Sequence, residues 1–107
     1  MTADELRTFC LALPGAAETF PFSPEISVFK ASNGRIFALT NLGSATLDIS
    51  VKCEPEIGES LRRTHSSIVP GYHLNKRHWI TVPLGAEVDD TLVRELIEDS
   101  YDLVKPK

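Results

Sequence analysis

The sequence predicts an α+β domain: a two-layer sandwich in which an antiparallel β-sheet carries helices packed on one face. Three observations predict it. Apolar residues recur at helical spacing near both ends, as Leu6, Phe9, Cys10 and Leu13 and again as Leu92, Val93, Leu96, Ile97 and Val104. Between them, Thr46, Asp48, Ser50 and Lys52 alternate with Leu47, Ile49, Val51 and Cys53. A strand with one wet and one dry face belongs to an antiparallel sheet covered on one side. Ser32-Asn33-Gly34 separates two short apolar runs, and Asn-Gly is a strong hairpin signal because both residues tolerate positive φ.

Each element follows from local chemistry. Thr2 followed by Glu5 fits a capping box that opens a helix running to about Leu13. Pro14-Gly15 ends it, because proline disfavours helical geometry before it and glycine accepts the left-handed region. Residues 16–24 are expected to form an ordered loop whose Phe20 and Phe22 pack onto the core. Residues 26–31 and 35–40 read as the hairpin strands, and the alternating strand follows the 41–45 loop. Pro55 suits the first turn of a second helix, where its missing N–H removes no bond. Glu56 and Glu59 favour its N-terminal dipole, and Arg62 and Arg63 its C-terminal end. Ile57 and Leu61 are expected to face inward. The 68–78 stretch, with room for a short strand, leads into a strand from about Trp79 to Leu84. Asp89, a good N-cap, starts the last helix. The expected order is α-β-β-β-α-(β)-β-α.

At 107 residues, the chain supports one core, so residues 1–107 are expected to be a single domain. An apolar fraction of 42% and a charged fraction of 24% exclude a disordered tail and a disulfide scaffold. No apolar run approaches the roughly 18–20 residues of a membrane span. Met1-Thr2-Ala3-Asp4-Glu5 lacks the basic and apolar regions of a signal peptide. A soluble, cytoplasmic protein with no membrane partner is the expectation. Cys10 and Cys53, far apart in sequence, read as buried free thiols.

The charge distribution singles out one segment. From Ser60 to Ala86 there is no Asp or Glu, while Arg62, Arg63, Lys76 and Arg77 supply +4. Against a whole-chain charge of −4, that leaves −8 on the rest, and such local polarity governs encounters more than net charge does. Within this stretch, Tyr72, His73, Asn75, Lys76, Arg77, His78 and Trp79 gather charges, imidazoles, an amide and aromatics into eight positions. Arg and Lys hold phosphate or carboxylate, and aromatics stack on bases. The plainer reading makes Trp79 a core residue at a strand start and Lys76-Arg77 a solvated turn.

Other chemistry finds little support. His73 and His78 lie five apart, with His65 and Cys53 nearby, which is not the spacing of a zinc site, so no metal or other cofactor is expected. Cys53 on the dry face of its strand is an inert thiol. Ser66 and Ser67 beside His65 lack a nucleophile elbow, and Gly34, Gly43 and Gly58 form no phosphate loop. No catalytic constellation is visible.

A resemblance completes the reading. It rests on Pro14-Gly15, Glu18-Thr19-Phe20-Pro21-Phe22, Val28-Phe29-Lys30, Phe37-Ala38-Leu39 and Val51-Lys52-Cys53-Glu54-Pro55-Glu56. Pro70-Gly71-Tyr72-His73-Leu74-Asn75-Lys76-Arg77-His78-Trp79 and Ser100-Tyr101-Asp102-Leu103-Val104 complete it. In this order, over essentially the whole chain, these blocks resemble the MmcQ/YjbR family of small bacterial proteins. The sequence departs from the pattern at Ile80, where relatives often place a polar residue, and at Glu54, where an Asp is usual and would cap better. The resemblance implies a frataxin-like or secretion-chaperone-like domain and DNA binding through a double-wing arrangement, with no enzymatic activity attached. The leading expectation is therefore a non-enzymatic DNA-binding module. In it, Arg62, Arg63, Lys76 and Arg77 contact phosphates, His73 and Asn75 hydrogen-bond nearby, and Tyr72 or Trp79 packs against sugar or base. The alternatives are a protein-interaction module using the same segment, and a small-anion site in which His73, His78 and Arg77 converge in a concavity beside Trp79.

Overall fold

The chain enters its first helix through the expected cap: the Glu5 amide donates to Thr2 Oγ1 and the Thr2 amide to Glu5 Oε1, each at 3.1 Å. This opens α1 (Ala3–Leu11), shorter by two residues than its apolar stripe suggested. The structure, a computed structural model, describes residues 1–71, 74–85 and 87–107. After α1 come β1 (Ala17–Thr19), β2 (Ile26–Lys30), β3 (Ile36–Asn41), β4 (Asp48–Lys52), α2 (Pro55–Thr64), β5 (Val69–Pro70), β6 (Trp79–Pro83) and α3 (Asp90–Val104). The strands form one antiparallel sheet in the order β1-β2-β3-β4-β6-β5. The α+β class and the helices on one face are as expected. Among the described residues, no helix is long and apolar enough to cross a membrane.

Register sorts the side chains onto two faces. Phe29, Ala38, Val51 and Ile80 are cross-strand neighbours, and with Ile49 and Val82 they meet Leu6, Cys10, Val93, Ile97 and Tyr101 of the helices. Burying each large side chain contributes about 1.5–3 kcal/mol. Phe37 is the extra residue of a bulge, since Phe29 pairs with Ala38 but Lys30 with Ile36. Its ring meets Tyr101 edge-on, with centroids 5.3 Å apart. The bulge also shapes the β3–β4 ladder, and α3 bonds to both strands there: Ser100 Oγ donates to the Phe37 carbonyl at 2.6 Å and accepts the Lys52 amide at 2.9 Å. Cys10 and Cys53 are buried free thiols, as the sequence suggested.

Three expectations are corrected. Residues 17–19 are a strand, not loop, because Glu18 accepts two 2.8 Å bonds from Arg7 of α1 and one from Ser27 of β2, pinning the segment to the sheet edge. Phe20 and Phe22 do not pack onto the core; they are 42% and 65% exposed, since β1 uses the sheet contact and the chain leaves it at Thr19. Ile57 is 51% exposed rather than inward. Gly58 faces the sheet instead, where an added Cβ would lie 3.0 Å from Cys53 Sγ and 3.5 Å from Ile80 Cγ2. That close approach fixes the rotation of α2 and turns Ile57 outward, while Leu61 stays half-buried against the core.

Candidate functional site

Two regions stand out, one foreseen and one not. The foreseen one lies at the end of the sheet where β4 leaves and β6 enters. The Cys53 amide donates to the His78 carbonyl at 2.8 Å, tying the 74–78 turn to the start of α2. Arg62, half-buried, reaches back over Gly58, its Nη1 3.3 Å from where a Cβ would stand, beside Cys53. Arg63 is exposed in the last turn of α2, and Lys76 and Arg77 are exposed in the turn. Cys53 thus links the two halves of the basic constellation. Among the described residues, none of these four cations forms an ion pair; the three pairs present are Met1–Asp90, Arg7–Glu18 and Lys105–Asp102.

The turn has its own internal logic. Asn75 Oδ1 accepts the Arg77 amide at 3.0 Å, and the Asn75 carbonyl accepts the His78 amide at 3.1 Å. The Asn75 carbonyl oxygen of the side chain therefore shapes the turn, leaving only its amide NH₂ to meet a ligand. Trp79 is half-buried opposite Lys52, and Gly71 lets the β5 edge close on it: a Cβ there would be 2.6 Å from Trp79 Cβ. Tyr72 and His73, also expected at the site, lie outside the described residues. The acid-free character of the stretch is tempered in space, because Glu87 accepts bonds from the Ser67 amide and hydroxyl. These bonds, with a smaller effect of His65, hold the Glu87 carboxyl below its ordinary range.

The second region is a groove of about 550 Å³ on the helix-free face of the sheet. It is lined by Phe22, Ile26 and Leu74 and, on the sheet itself, by Asp48 and the cross-strand row Leu39, Ser50 and Thr81. Ser50 and Thr81 face each other across β4 and β6 with hydroxyls 2.8 Å apart. Asp48 stands opposite Pro83, which has no N–H to offer, and its carboxylate accepts no hydrogen bond from the described residues. Burial pushes the Asp48 carboxyl above its ordinary range. The wet alternate positions of the sequence are thus the floor of a concavity, closed on two sides by the 20s loop and by Leu74. Phe22, expected on the core, is the aromatic after β1 that lines it. His78, Arg77 and Trp79 do not line this groove, and His73, expected to converge with His78 and Arg77, lies outside the described residues.

The thiols are poor nucleophiles. Burial pushes the Cys10 thiol up to about 12, with Glu18 adding to the shift. Burial also raises Cys53, with Arg62 opposing. Among the described residues, no three of His, Cys, Asp and Glu gather as metal ligands.

Comparison with known proteins now fixes the relationship. The YjbR family model matches residues 11–103. The chain belongs to the YjbR family. Over 98 residues it is 40% identical to the uncharacterized protein YbdF of Escherichia coli O157:H7, covering 92% of this chain and 80% of that one. It is 35% identical over 101 residues to the uncharacterized protein YjbR of Escherichia coli strain K12, covering 94% and 85%. The crystal structure of Deinococcus radiodurans protein DR2400, with a DUF419 domain, is similar with a TM-score of 0.90 at 49% identity, over 95% of this chain and 77% of that one. A Pseudomonas syringae crystal structure is similar with a TM-score of 0.84 at 30% identity, over 97% and 99%. The YjbR fold therefore extends over nearly the whole chain, including the basic end and the grooved face.

Proposed function

We propose that this YjbR-family protein is a non-enzymatic binding module that holds nucleic acid at the basic end of its sheet. One observation carries the reading: the Cys53–His78 backbone bond ties the turn bearing Lys76 and Arg77 to the chain just before α2, whose last turn bears Arg62 and Arg63, and none of the four has an ion-pair partner among the described residues. Unpaired guanidinium and ammonium groups at one end are what phosphate contacts require, and Arg adds a bidentate fork. The −8 carried by the rest of the chain repels a polyanion and so orients it toward that end. The raised thiols and the scattered carboxylates support a binding role over a catalytic one.

The test is fluorescence anisotropy of labelled duplex and single-stranded DNA at about 50 and about 200 mM salt, with wild type and the Lys76→Ala/Arg77→Ala variant. Both substituted residues are exposed, so the variant is expected to fold normally. Salt-sensitive binding that is lost in the variant supports the reading. No binding at low salt, or equal binding by the variant, overturns it and directs the search to a protein partner.

A further inference from the structure

The groove on the helix-free face adjoins the basic end through Leu74, yet its own lining carries the opposite charge. Its volume of about 550 Å³ falls in the range of small-molecule sites, roughly 300–1,000 Å³. The walls are apolar, and the one ionisable side chain among its lining residues is Asp48. No Arg, Lys or His of the described residues lines it. Glu25 adds to the negative field at one end, its carboxylate lying over Gly43 beside the lining residues Asn41 and Ser44.

Two features are unsatisfied as the site stands. Phe22 lines the groove yet is 65% exposed, so an aromatic ring at the rim lacks an apolar surface to cover it. The Asp48 carboxylate is half-buried without a donor among the described residues, and its cross-strand neighbour is a proline. Ser50 and Thr81 bond to each other, which leaves one hydroxyl hydrogen and their remaining lone pairs on the floor, the lone pairs free to accept from a ligand. Acceptors and a carboxylate below, apolar walls above and an uncovered aromatic at the mouth select one chemistry.

We propose that this groove binds a small amphiphilic amine, its apolar or aromatic body against Phe22, Ile26, Leu39 and Leu74 and its ammonium paired with the Asp48 carboxylate. A carboxylate with an apolar surround strengthens such a pair, because little water competes for it. The ammonium also has Ser50 and Thr81 within the same floor to accept its other hydrogens. A carboxylate-bearing ligand of the same shape meets like charge and is rejected.

The experiment uses the full chain and three probes that share a phenethyl body: phenethylamine, 2-phenylethanol and 3-phenylpropionate. Binding is followed by amide chemical shifts in ¹⁵N-labelled protein. Phenethylamine is expected to shift the amides of Ile26, Leu39, Ser50 and Thr81 saturably, about tenfold more tightly than the alcohol, with the anion weakest. Asp48→Asn, which removes a charge the fold disfavours, is expected to equalise the amine and the alcohol. Leu39→Trp, which fills the groove from the sheet, is expected to abolish binding of all three. A preserved amide spectrum establishes that each variant is folded. Failure of the amine to saturate at the groove amides, binding of the anion as tight as the amine, or amine affinity unchanged in Asp48→Asn each overturns the proposal.

Discussion

Ser100 shows how much one small side chain does in this fold. It sits in the buried stripe of α3, where a larger apolar residue would be the default, and its hydroxyl both gives and takes a hydrogen bond between β3 and β4. The need arises because the β3–β4 register ends at Ala38 and Val51, and the Phe37 carbonyl and Lys52 amide just beyond it both bond to this hydroxyl. An orphaned buried polar group costs about 1–3 kcal/mol. Ser100→Ala is therefore expected to destabilise the protein by about 2–4 kcal/mol, as two such groups lose their partner. Urea denaturation measures this, and a loss below about 1 kcal/mol would mean that water replaces the hydroxyl. Its neighbour Tyr101 works similarly, donating to the Pro14 carbonyl and so tying α3 to the chain just after α1.

At the scale of elements, β1 depends on one ion pair. Arg7 of α1 grips both oxygens of Glu18, and Ser27 adds a third bond, so a three-residue strand at the sheet edge is held by a helix. The Arg7 hydrogen bond, aided by Ser27 and the Arg7 charge, holds the Glu18 carboxyl below its ordinary value of 4.5, against an opposing effect of burial. A folded pKa below the unfolded one contributes stability that is present above about pH 4.5 and lost as pH falls through the lowered value. Arg7→Met is accordingly expected to cost stability at pH 7 and to cost clearly less at pH 3, where Glu18 is protonated in the unfolded chain. Denaturation midpoints of both proteins at both pH values test this; an equal difference at each would show that packing of the Arg7 stem, not the charge, holds β1.

For the whole molecule, the separation of charge decides behaviour. Four cations within residues 60–86 against −8 over the rest of the sequence, with Glu54, Asp99 and Asp102 lining a recess with Cys53, make any polyanion contact local and few in number. If all four meet phosphates of duplex DNA, the slope of log affinity against log salt is about −3.6. Affinity then falls roughly 100-fold between about 50 and about 200 mM salt. Anisotropy titrations at several salt concentrations give the slope directly. A slope much steeper would require cations beyond these four, and one near zero would mean an interface held by apolar burial instead.

Local chemistry is legible wherever a residue acts through its own neighbours in sequence. The Thr2–Glu5 box, the Asp89 cap on the Leu92 amide, Pro55 at the start of α2 and Gly15 at φ +73° are all short-range geometry, and each is where its residue type implies. The uncapped Glu54 is another, since its side chain makes no cap hydrogen bond. Binary alternation likewise identifies β4 and its two faces. What sequence spacing cannot express is what covers a face. Apolar Phe22 and Ile57 are outside and Ser27, Thr40, Ser50 and Ser100 are buried, because those fates depend on partners in other elements, from eight to more than sixty residues away. Arg7 turns 17–19 into a strand, Gly58 sets the rotation of α2, and the 20s loop makes a concavity of a face that alternation marks only as polar. Charge along the chain located the basic segment; only the Cys53–His78 pairing brings Arg62 and Arg63 to the same end as Lys76 and Arg77. The sequence by itself determined every element but β1, their caps and the family, all carried by local pattern. The tertiary structure alone decided which polar and apolar groups lack a partner, because burial and pairing are properties of the packed chain and not of neighbours along it.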